Sequence, residues 1–565
     1  MHPRQRALAL AALAAFSLPA AAAHAVTFDV GPTYPYADLA AVPWESLMPG
    51  DSVLIHWRAT PYNEKFVIGR AGTAAAPITV SGVPDPGSGA LPEIDGGGAV
   101  TPPALNYWNE DRGIIKIGGS NSPPDTLPAY IVVENLDLHG ARGAFTGDSG
   151  AGTYLPNAAA IYVEKGDHIT VRNCWMHDNG NGFFVANETS DVLVEGNWIW
   201  GNGNVGSIYE HNNYTEANGI VFQFNHFGPL CTGCDGNNLK DRSAGTVIRY
   251  NWIESGNRQL DLVDSDVLYT EPSYGATFVY GNILIEPDGA GNSQIVHYGG
   301  DSGDTSVYRG GMLYFYNNTV VSTRAGNTTL FRLSSAGETA DCRNNVLYVT
   351  ADGSFLAIID DAGVADLTNN WLKPGWVDTH SPPASGSVNV LGGEVNGASP
   401  GFVDEASQDF HLASGSACID AGATLAAAAL PANDVVMQYV VHTGSEPRPV
   451  SGALDLGAFE LCPAAGCTPP AGTDAGAAPA DAGTPGPDGG AGGGADSSLP
   501  GGDGGPAGSG DAGGPGGGGR GGCHCSVVPG PRSGARAADS GALAAWALGL
   551  GVLVHGLRRR ARAAR

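Results

Sequence analysis

Between residues 135 and 370, short runs of alternating apolar and polar positions end in one recurring phrase: an apolar strand, an Asn, then a further strand residue, mostly large and apolar. The phrase appears as Glu134-Asn135-Leu136, Gly196-Asn197-Trp198, Phe224-Asn225-His226 and Tyr250-Asn251-Trp252. It continues as Gly281-Asn282-Ile283, Asn317-Asn318-Thr319, Asn344-Asn345-Val346 and Asn369-Asn370-Trp371, while Asn173-Cys174-Trp175 carries Cys in the Asn place. Successive copies lie roughly 23 to 39 residues apart, the scale of stacked structural repeats. The period of two, as in Val192/Val194, Thr246/Ile248 and Leu313/Phe315, predicts short strands with one face buried. A polar residue that recurs at one register must find partners. Stacked Asn amides can bond the Asn of the next coil and the turn backbone, each bond contributing about 1 kcal/mol net. The pattern predicts an all-β fold, a right-handed parallel β-helix solenoid with an asparagine ladder at one turn. Gly/Asn-rich turns such as Asp178-Asn179-Gly180-Asn181-Gly182 supply residues that accept left-handed backbone. Longer insertions, Gly203 to Asn218, Gly228 to Asn238 and Asp264 to Ser273, are expected to gather on one face.

The ends of the chain differ from this middle. Arg4 and Arg6, an apolar run from Ala7 to Ala23, and Ala23-His24-Ala25 have the form of a secretory signal peptide over residues 1–25. Residues 26–460 are read as the β-helix: cap and first coils over 26–119, central coils over 120–371, and a C-terminal coil and cap over 372–460. Residues 461–522 are almost wholly Gly, Ala, Pro, Asp and Ser, a composition that cannot offset its ordering entropy and reads as a disordered tether. Residues 523–565 hold Cys523-His524-Cys525, an apolar run from Gly541 to Leu557 and a basic end from Arg558, a hydrophobic helix with a membrane as its partner. Nine Cys are present. Cys231 and Cys234 are read as a disulfide that staples a loop, since no further zinc ligands are spaced for them, and Cys174 and Cys342 as buried thiols.

The net charge of −28 over 565 residues, with no basic stripe, argues against nucleic acid as a partner. The densest mixed charge lies at Lys240-Asp241-Arg242 and at Arg258-Gln259-Leu260-Asp261-Leu262-Val263-Asp264-Ser265-Asp266. One coil later His297 and Tyr298 occupy the matching segment. With Leu260 and Leu262 in the core, Gln259 and Asp261 are expected to face out. Stacked coils lie about 4.8 Å apart, which brings His297 or Tyr298 near Asp261 and Asp264. Glu210, His211 and Tyr214, on the earlier insertion, are expected to overhang the same face as substrate-binding groups together with Gln259.

Several segments resemble the pectate-lyase-like β-helix superfamily. Gly50-Asp51-Ser52-Val53, Tyr62-Asn63-Glu64 and Pro77-Ile78-Thr79-Val80-Ser81-Gly82 are similar to its N-terminal coils. Ser399-Pro400-Gly401-Phe402, Asp409-Phe410-His411-Leu412 and Leu456-Gly457-Ala458-Phe459 are similar to its last coil and cap. The resemblance spans residues 26–460 and implies the fold more strongly than an activity, because the fold hosts lyases, hydrolases, epimerases and adhesins. Separately, residues 523–565 resemble the C-terminal sorting tags of exported myxobacterial proteins. That implies display at the cell surface or outer membrane, release from it, and a processing peptidase as partner. A monomer is expected.

Three functional readings stand at this point. A polysaccharide lyase removes the proton α to a uronate carboxylate and neutralises that carboxylate. Lys240, Arg242, Arg258, His297 and Tyr298 are its candidate catalytic groups, and Asp241, Asp261, Asp264 and Asp266 candidate oxygen ligands for Ca²⁺. The Lys240 coil followed by an Arg-bearing coil is similar to the Lys/Arg pairing of β-helix alginate and chondroitin lyases, although Val263 and Asp264 stand where those enzymes carry Arg. A glycoside hydrolase would pair Asp261 with Asp264 or Asp266. A non-catalytic adhesin or glycan-binding scaffold would scatter these residues over different faces. Trp175, Trp198, Trp252 and Trp371 at matching register are read as structural.

Overall fold

The computed structural model describes residues 25–124, 127–350 and 355–461. The expected leader up to residue 24, the tether with Cys462 and Cys467, and the C-terminal tag lie outside the described residues. Among the described residues, no helix is long and apolar enough to cross a membrane.

Strands of two to six residues, and two much longer ones, wind into a right-handed parallel β-helix. Each coil contributes to three faces. The first runs up to the recurring phrase, as in Asn218–Gln223, Ala244–Arg249 and Ala276–Tyr280. The second follows it, as in His226–Phe227, Trp252–Glu254 and Ile283–Glu286. The third holds Asn213–Thr215, Leu239–Asp241, Leu260–Leu262, Gln294–Tyr298 and Thr328–Leu333. The second face is a separate 11-stranded sheet. The first and third are joined into one 21-stranded sheet because Ala159–Arg172 and Asn181–Glu195 run through both. Inward residues of all three faces, such as Ile248, Ile253 and Leu260, are fully buried, each contributing on the order of 2 kcal/mol by burial.

The asparagine ladder forms where the recurring phrase predicts it. Asn197, Asn225, Asn251, Asn282, Asn318, Asn345 and Asn370 stack in consecutive coils, each donating its backbone N–H to the side-chain oxygen of the next at 2.9–3.1 Å. Cys174 starts the ladder by donating its N–H to Asn197 Oδ1 at 3.0 Å, and Glu394 ends it by accepting from Asn370 at 2.9 Å. Asn135 is not a member. Asp137 pairs with Trp175, so Leu136 holds the ladder register. Asn135 holds the preceding position, which is left-handed in every coil, from Asn135 (φ 59°) through Phe224 (φ 58°) and Tyr250 (φ 54°) to Asn369 (φ 51°). That corner turns the chain from the first face to the second. A second amide ladder, Asn179–Asn202–Asn212–Asn238, turns it from the second to the third.

The two insertions near the second ladder gather as expected. Gly206 donates to the Gly233 carbonyl at 2.8 Å and Asp235 to that of Ser207 at 3.1 Å, and a Cys231–Cys234 disulfide closes the second insertion. Cys174, Cys342 and Cys418 are buried thiols. The segment expected as a C-terminal cap lies along the second face instead of over the end of the coils. Phe410, Tyr439, Leu456 and Phe459 bury Trp252, Ile283, Val346 and Trp371. Trp175 and Trp198, on earlier coils, remain half-buried.

Candidate functional site

On the third face the strand alternation sends Leu239, Leu260, Val296 and Phe331 into the core. The intervening residues form one outward row, Tyr214–Lys240–Asp261–His297–Arg332, paired in register coil by coil. The Asn237 side of this row is the disulfide-closed insertion; the other side is the loop after Tyr298, which carries Asp301.

The row and its flanks make one connected network. Lys240 Nζ donates to Asp261 Oδ2 at 2.6 Å and to Asp301 Oδ2 at 2.7 Å. Asn237 adds a donor to Asp261 Oδ2 at 2.8 Å. His297 Nδ1 lies 2.7 Å from Asp261 Oδ1, and its Nε2 lies 2.8 Å from the Ser334 hydroxyl. Arg242 donates to Tyr214 Oη at 3.0 Å and to Asp301 Oδ1 at 2.7 Å. Arg258 sits 3.7 Å from Asp261 Oδ1 and donates to Gln294 Oε1. Arg332, half-buried beside His297, makes no hydrogen bond or ion pair with any of the described residues.

These contacts set the charges. Burial raises the Asp261 carboxyl, but Lys240, His297 and Arg258 outweigh it and hold the group well below the usual carboxylate range. Burial lowers the Lys240 ammonium, but Asp261 and Asp301 outweigh it, so Lys240 stays a cation. Asp301 is partly desolvated yet drawn down to about 2 by Lys240 and Arg242. Burial lowers the His297 imidazolium, Arg258 and Arg332 lower it further, and the Asp261 bond only partly restores it. His297 is therefore neutral at neutral pH. With Asp261 ionised, the proton sits on Nδ1 and the Nε2 lone pair faces Ser334.

The structure thus brings together Lys240, Arg242, Arg258, Asp261 and His297, with Tyr214 in the same row and His211 beside it. His211 accepts the Asn237 N–H at 2.9 Å. Burial first, and Lys240 next, push its imidazolium down to about 3. The scatter expected of a plain scaffold is not seen.

Other expectations fail. Tyr298 follows His297 and by alternation points into the core, where it is fully buried, so it is no base. Gln259 is fully buried and donates to Glu286 and the Ile285 carbonyl, so it is no substrate contact. Glu210 lines a separate cavity of about 390 Å³ with Arg142, Tyr154 and Asn204. The four Asp do not form a Ca²⁺ site. Asp241 alternates with Lys240 into the interior, where Thr215 and Thr246 donate to it at 2.8 and 2.7 Å and Arg309 pairs with it. Asp261 is taken up by Lys240 and His297, and Asp264 accepts the Asp301 N–H at 2.7 Å. Asp266 is exposed. One ligand-like group exists among the described residues, Asp167, His168 and Asp191, at the bend of the two long strands and outside the row.

Sequence reasoning missed Asp301, Arg332 and Ser334. A signal for the last two was present: one coil after His297, Phe331-Arg332-Leu333 repeats the apolar–polar–apolar spelling of Leu260-Asp261-Leu262.

A family model of periplasmic copper-binding proteins (NosD) matches residues 130–306. No curated protein matches the chain. Among solved structures, the chain is similar to the pectate lyase Pel9A at 15% identity, covering 77% of this chain and 97% of that one with a TM-score of 0.41. It is similar to an alginate lyase from Paenibacillus sp. str. FPU-7 at 12% identity, covering 60% and 93% with a TM-score of 0.31. It is also similar to a GH136 lacto-N-biosidase from Eubacterium ramulus at 15% identity, covering 66% and 67% with a TM-score of 0.36. The β-helix assignment itself rests on the strand pairing and ladder described above.

Proposed function

We propose that this chain is a polysaccharide lyase that cleaves an acidic polysaccharide by β-elimination at the Lys240–Asp261–His297–Arg332 row. The observation that carries the reading is a neutral, Asp-oriented imidazole flanked in one register row by a guanidinium that has no partner among the described residues. Elimination needs that pair: a base for the proton α to the carboxylate and a cation that stabilises the charge developing on it. Arg332, with Arg258 behind it, receives the uronate carboxylate. His297 Nε2 takes the proton, and the Ser334 hydroxyl turns to its other acceptor, the Gly300 carbonyl at 3.0 Å. The bond to the leaving glycosidic oxygen breaks as the double bond forms, and the Lys240 ammonium is the proton donor of the row. Acidic substrate and acidic protein meet through these cations, with no metal required of the four Asp.

The protein is proposed to act outside the cytoplasm as a monomer, consistent with the signal-like leader and with the periplasmic family matched over residues 130–306. Surface attachment through the C-terminal segment belongs to the same proposal, with no role for nucleic acid. The test is a panel of acidic polysaccharides assayed for unsaturated-uronate absorbance and, in parallel, for reducing ends. Absorbance that is lost in His297→Ala supports elimination. Reducing ends without absorbance would replace it with hydrolysis, and neither signal on any acidic polymer would refute cleavage of the polysaccharide chain.

A further inference from the structure

Ser334, His297 and Asp261 stand in one line, of which elimination uses the base and its carboxylate and leaves the Ser334 hydroxyl without a reacting role. Ser334 Oγ lies 2.8 Å from His297 Nε2, and His297 Nδ1 lies 2.7 Å from Asp261 Oδ1. The three come from consecutive coils: Asp261 and His297 are register partners, His297 pairs with Arg332, and Ser334 follows two residues later. Alternation therefore places Ser334 on the same side as Arg332. Asp261 and His297 are 2% exposed and Ser334 is half-buried, so Ser334 is the end of the line nearest solvent. Gly300 N–H donates to Ser334 Oγ at 3.0 Å and fixes its position. Nucleophile, base and orienting carboxylate in this order are the parts of an acyl-transfer site, recognised by geometry and not by sequence position. Arg332 supplies the remaining part, a cation on the same side of the strand for the oxyanion.

From this geometry we infer that the chain also removes small acyl groups, such as acetyl, from the hydroxyls of an anionic polysaccharide, with Ser334 as nucleophile. The inference rests on the same site as the proposed elimination but uses a different reacting atom. Ser334 Oγ attacks the ester carbonyl carbon, and its proton passes to His297 Nε2 while Asp261 holds the Nδ1 proton. The bond from the acyl carbon to the sugar oxygen breaks, and that oxygen takes the proton from Nε2. Water then attacks the acyl-serine by the same route, releasing the carboxylic acid and restoring Ser334. Removal of the acyl group exposes the free sugar hydroxyl beside the carboxylate that Arg332 receives, so deacylation and elimination fit one after the other on one chain.

The test uses the full-length protein. A fluorophosphonate probe is expected to add one phosphonyl group to the peptide containing Ser334, identified by mass spectrometry. p-Nitrophenyl acetate and an O-acetylated polyuronate are expected to be deacetylated. Ser334→Ala should lose labelling and at least about 100-fold of the acetate release, as expected when a nucleophile is removed from such a unit. Ser334→Cys, which keeps a nucleophile, should react with iodoacetamide faster than the buried Cys174, Cys342 and Cys418. Both variants are checked by tryptophan fluorescence for native folding. A folded wild type that is neither labelled at Ser334 nor able to release acetate overturns the inference, as does a Ser334→Ala variant with undiminished release. Unsaturated-uronate absorbance without labelling sinks deacylation alone. Labelling at Ser334 without absorbance on any acidic polymer sinks elimination alone.

Discussion

Asp261→Asn tests the centre of the network without reference to any substrate. The wild-type carboxylate is 2% exposed. Its Oδ2 accepts from Lys240 at 2.6 Å and Asn237 at 2.8 Å, and its Oδ1 faces His297 at 2.7 Å and Arg258 at 3.7 Å. Asparagine keeps the shape but offers one acceptor and one donor. The Lys240 ammonium takes the oxygen, because the alternative sets an NH₂ against a cation and a second amide. The NH₂ then faces His297, which must accept at Nδ1 and carry its proton on Nε2, where the base is needed. Removing one partner of a buried ion pair costs about 3–5 kcal/mol. The partly exposed Asp301 still holds Lys240, so the lower end, about 3 kcal/mol at neutral pH, is expected. The folded Asp261 pKa is depressed, so this contribution is present above about 3.9 and is lost only as pH falls through the lower folded value. Urea unfolding followed by tryptophan fluorescence measures the stability, and ¹⁵N NMR of the imidazole reads the tautomer. Any base-dependent rate should drop about 10²–10⁴-fold. Unfolding within about 1 kcal/mol of wild type with the proton still on Nδ1 would refute this account of the row.

Three further outcomes follow from neighbouring contacts. Arg332→Gln removes one of the two cations that hold the His297 imidazolium down, so the acid limb of kcat/KM should move to higher pH; an unmoved limb means that Arg332 does not act on His297. Asp301→Asn should be less stable than wild type at neutral pH, with the gap closing as pH falls from about 4, the free carboxyl value, to about 2, where wild-type Asp301 protonates. A gap unchanged over that range in acid titrations followed by circular dichroism contradicts the pairing with Lys240 and Arg242. Asn251→Ala removes the acceptor of the Asn225 N–H and Nδ2 and a donor to the Phe222 and Arg249 carbonyls. At about 1–3 kcal/mol for each buried orphan, a loss of at least about 3 kcal/mol in urea unfolding is expected, and a loss below about 1 would mean that the ladder is not structural.

The ladder was legible because one chemical type recurs at one register, and only a stacked partner makes that tolerable in a core. The left-handed corner before it was not legible. Its occupants, from Asn135 to Phe224, Tyr250 and Gly281, share a backbone conformation and no side-chain chemistry. The second ladder hid for another reason: Asn179 and Asn202 sit in Gly/Asn-rich strings whose composition already explains a turn, and an insertion leaves Asn202 and Asn212 only ten residues apart. In the site, the repeat spacing set the Lys240, Asp261 and His297 segments side by side, and alternation sent Asp261 outward because Leu260 and Leu262 name the buried side, while the choice between His297 and Tyr298 stayed open. The same rule applied strictly would have sent Asp241 and Tyr298 inward. Their charge and hydroxyl made them attractive, but the partner that accounts for Asp241, Arg309, lies 68 residues away in sequence and gives no local sign of the pairing.

Stacking in register also explains why the chemistry is where it is. A parallel β-helix places each outward side chain about 4.8 Å from its counterparts above and below, so like charges in one row repel and a row of ionisable groups must alternate. The sequence Lys240, Asp261, His297, Arg332 satisfies this with a cation, an anion, a neutral base and a second cation. The two cations are not equivalent. Lys240 is saturated by Asp261 and Asp301, while Arg332 follows a neutral residue, and the carboxylate in register one coil on, Asp360, accepts from Gln294 at 3.0 Å and makes no ion pair with it. With a neutral imidazole on one side and an Asp360 held by Gln294 on the other, Arg332 is left available. If His297 were protonated, the base would be lost while the anion site kept its charge. The same argument ties the ladder to function. Asn251, Asn282 and Asn318 fix the coil spacing on which the 2.6–2.8 Å contacts of the row depend, and a coil displaced by even 1 Å would separate the base from the groups that orient it.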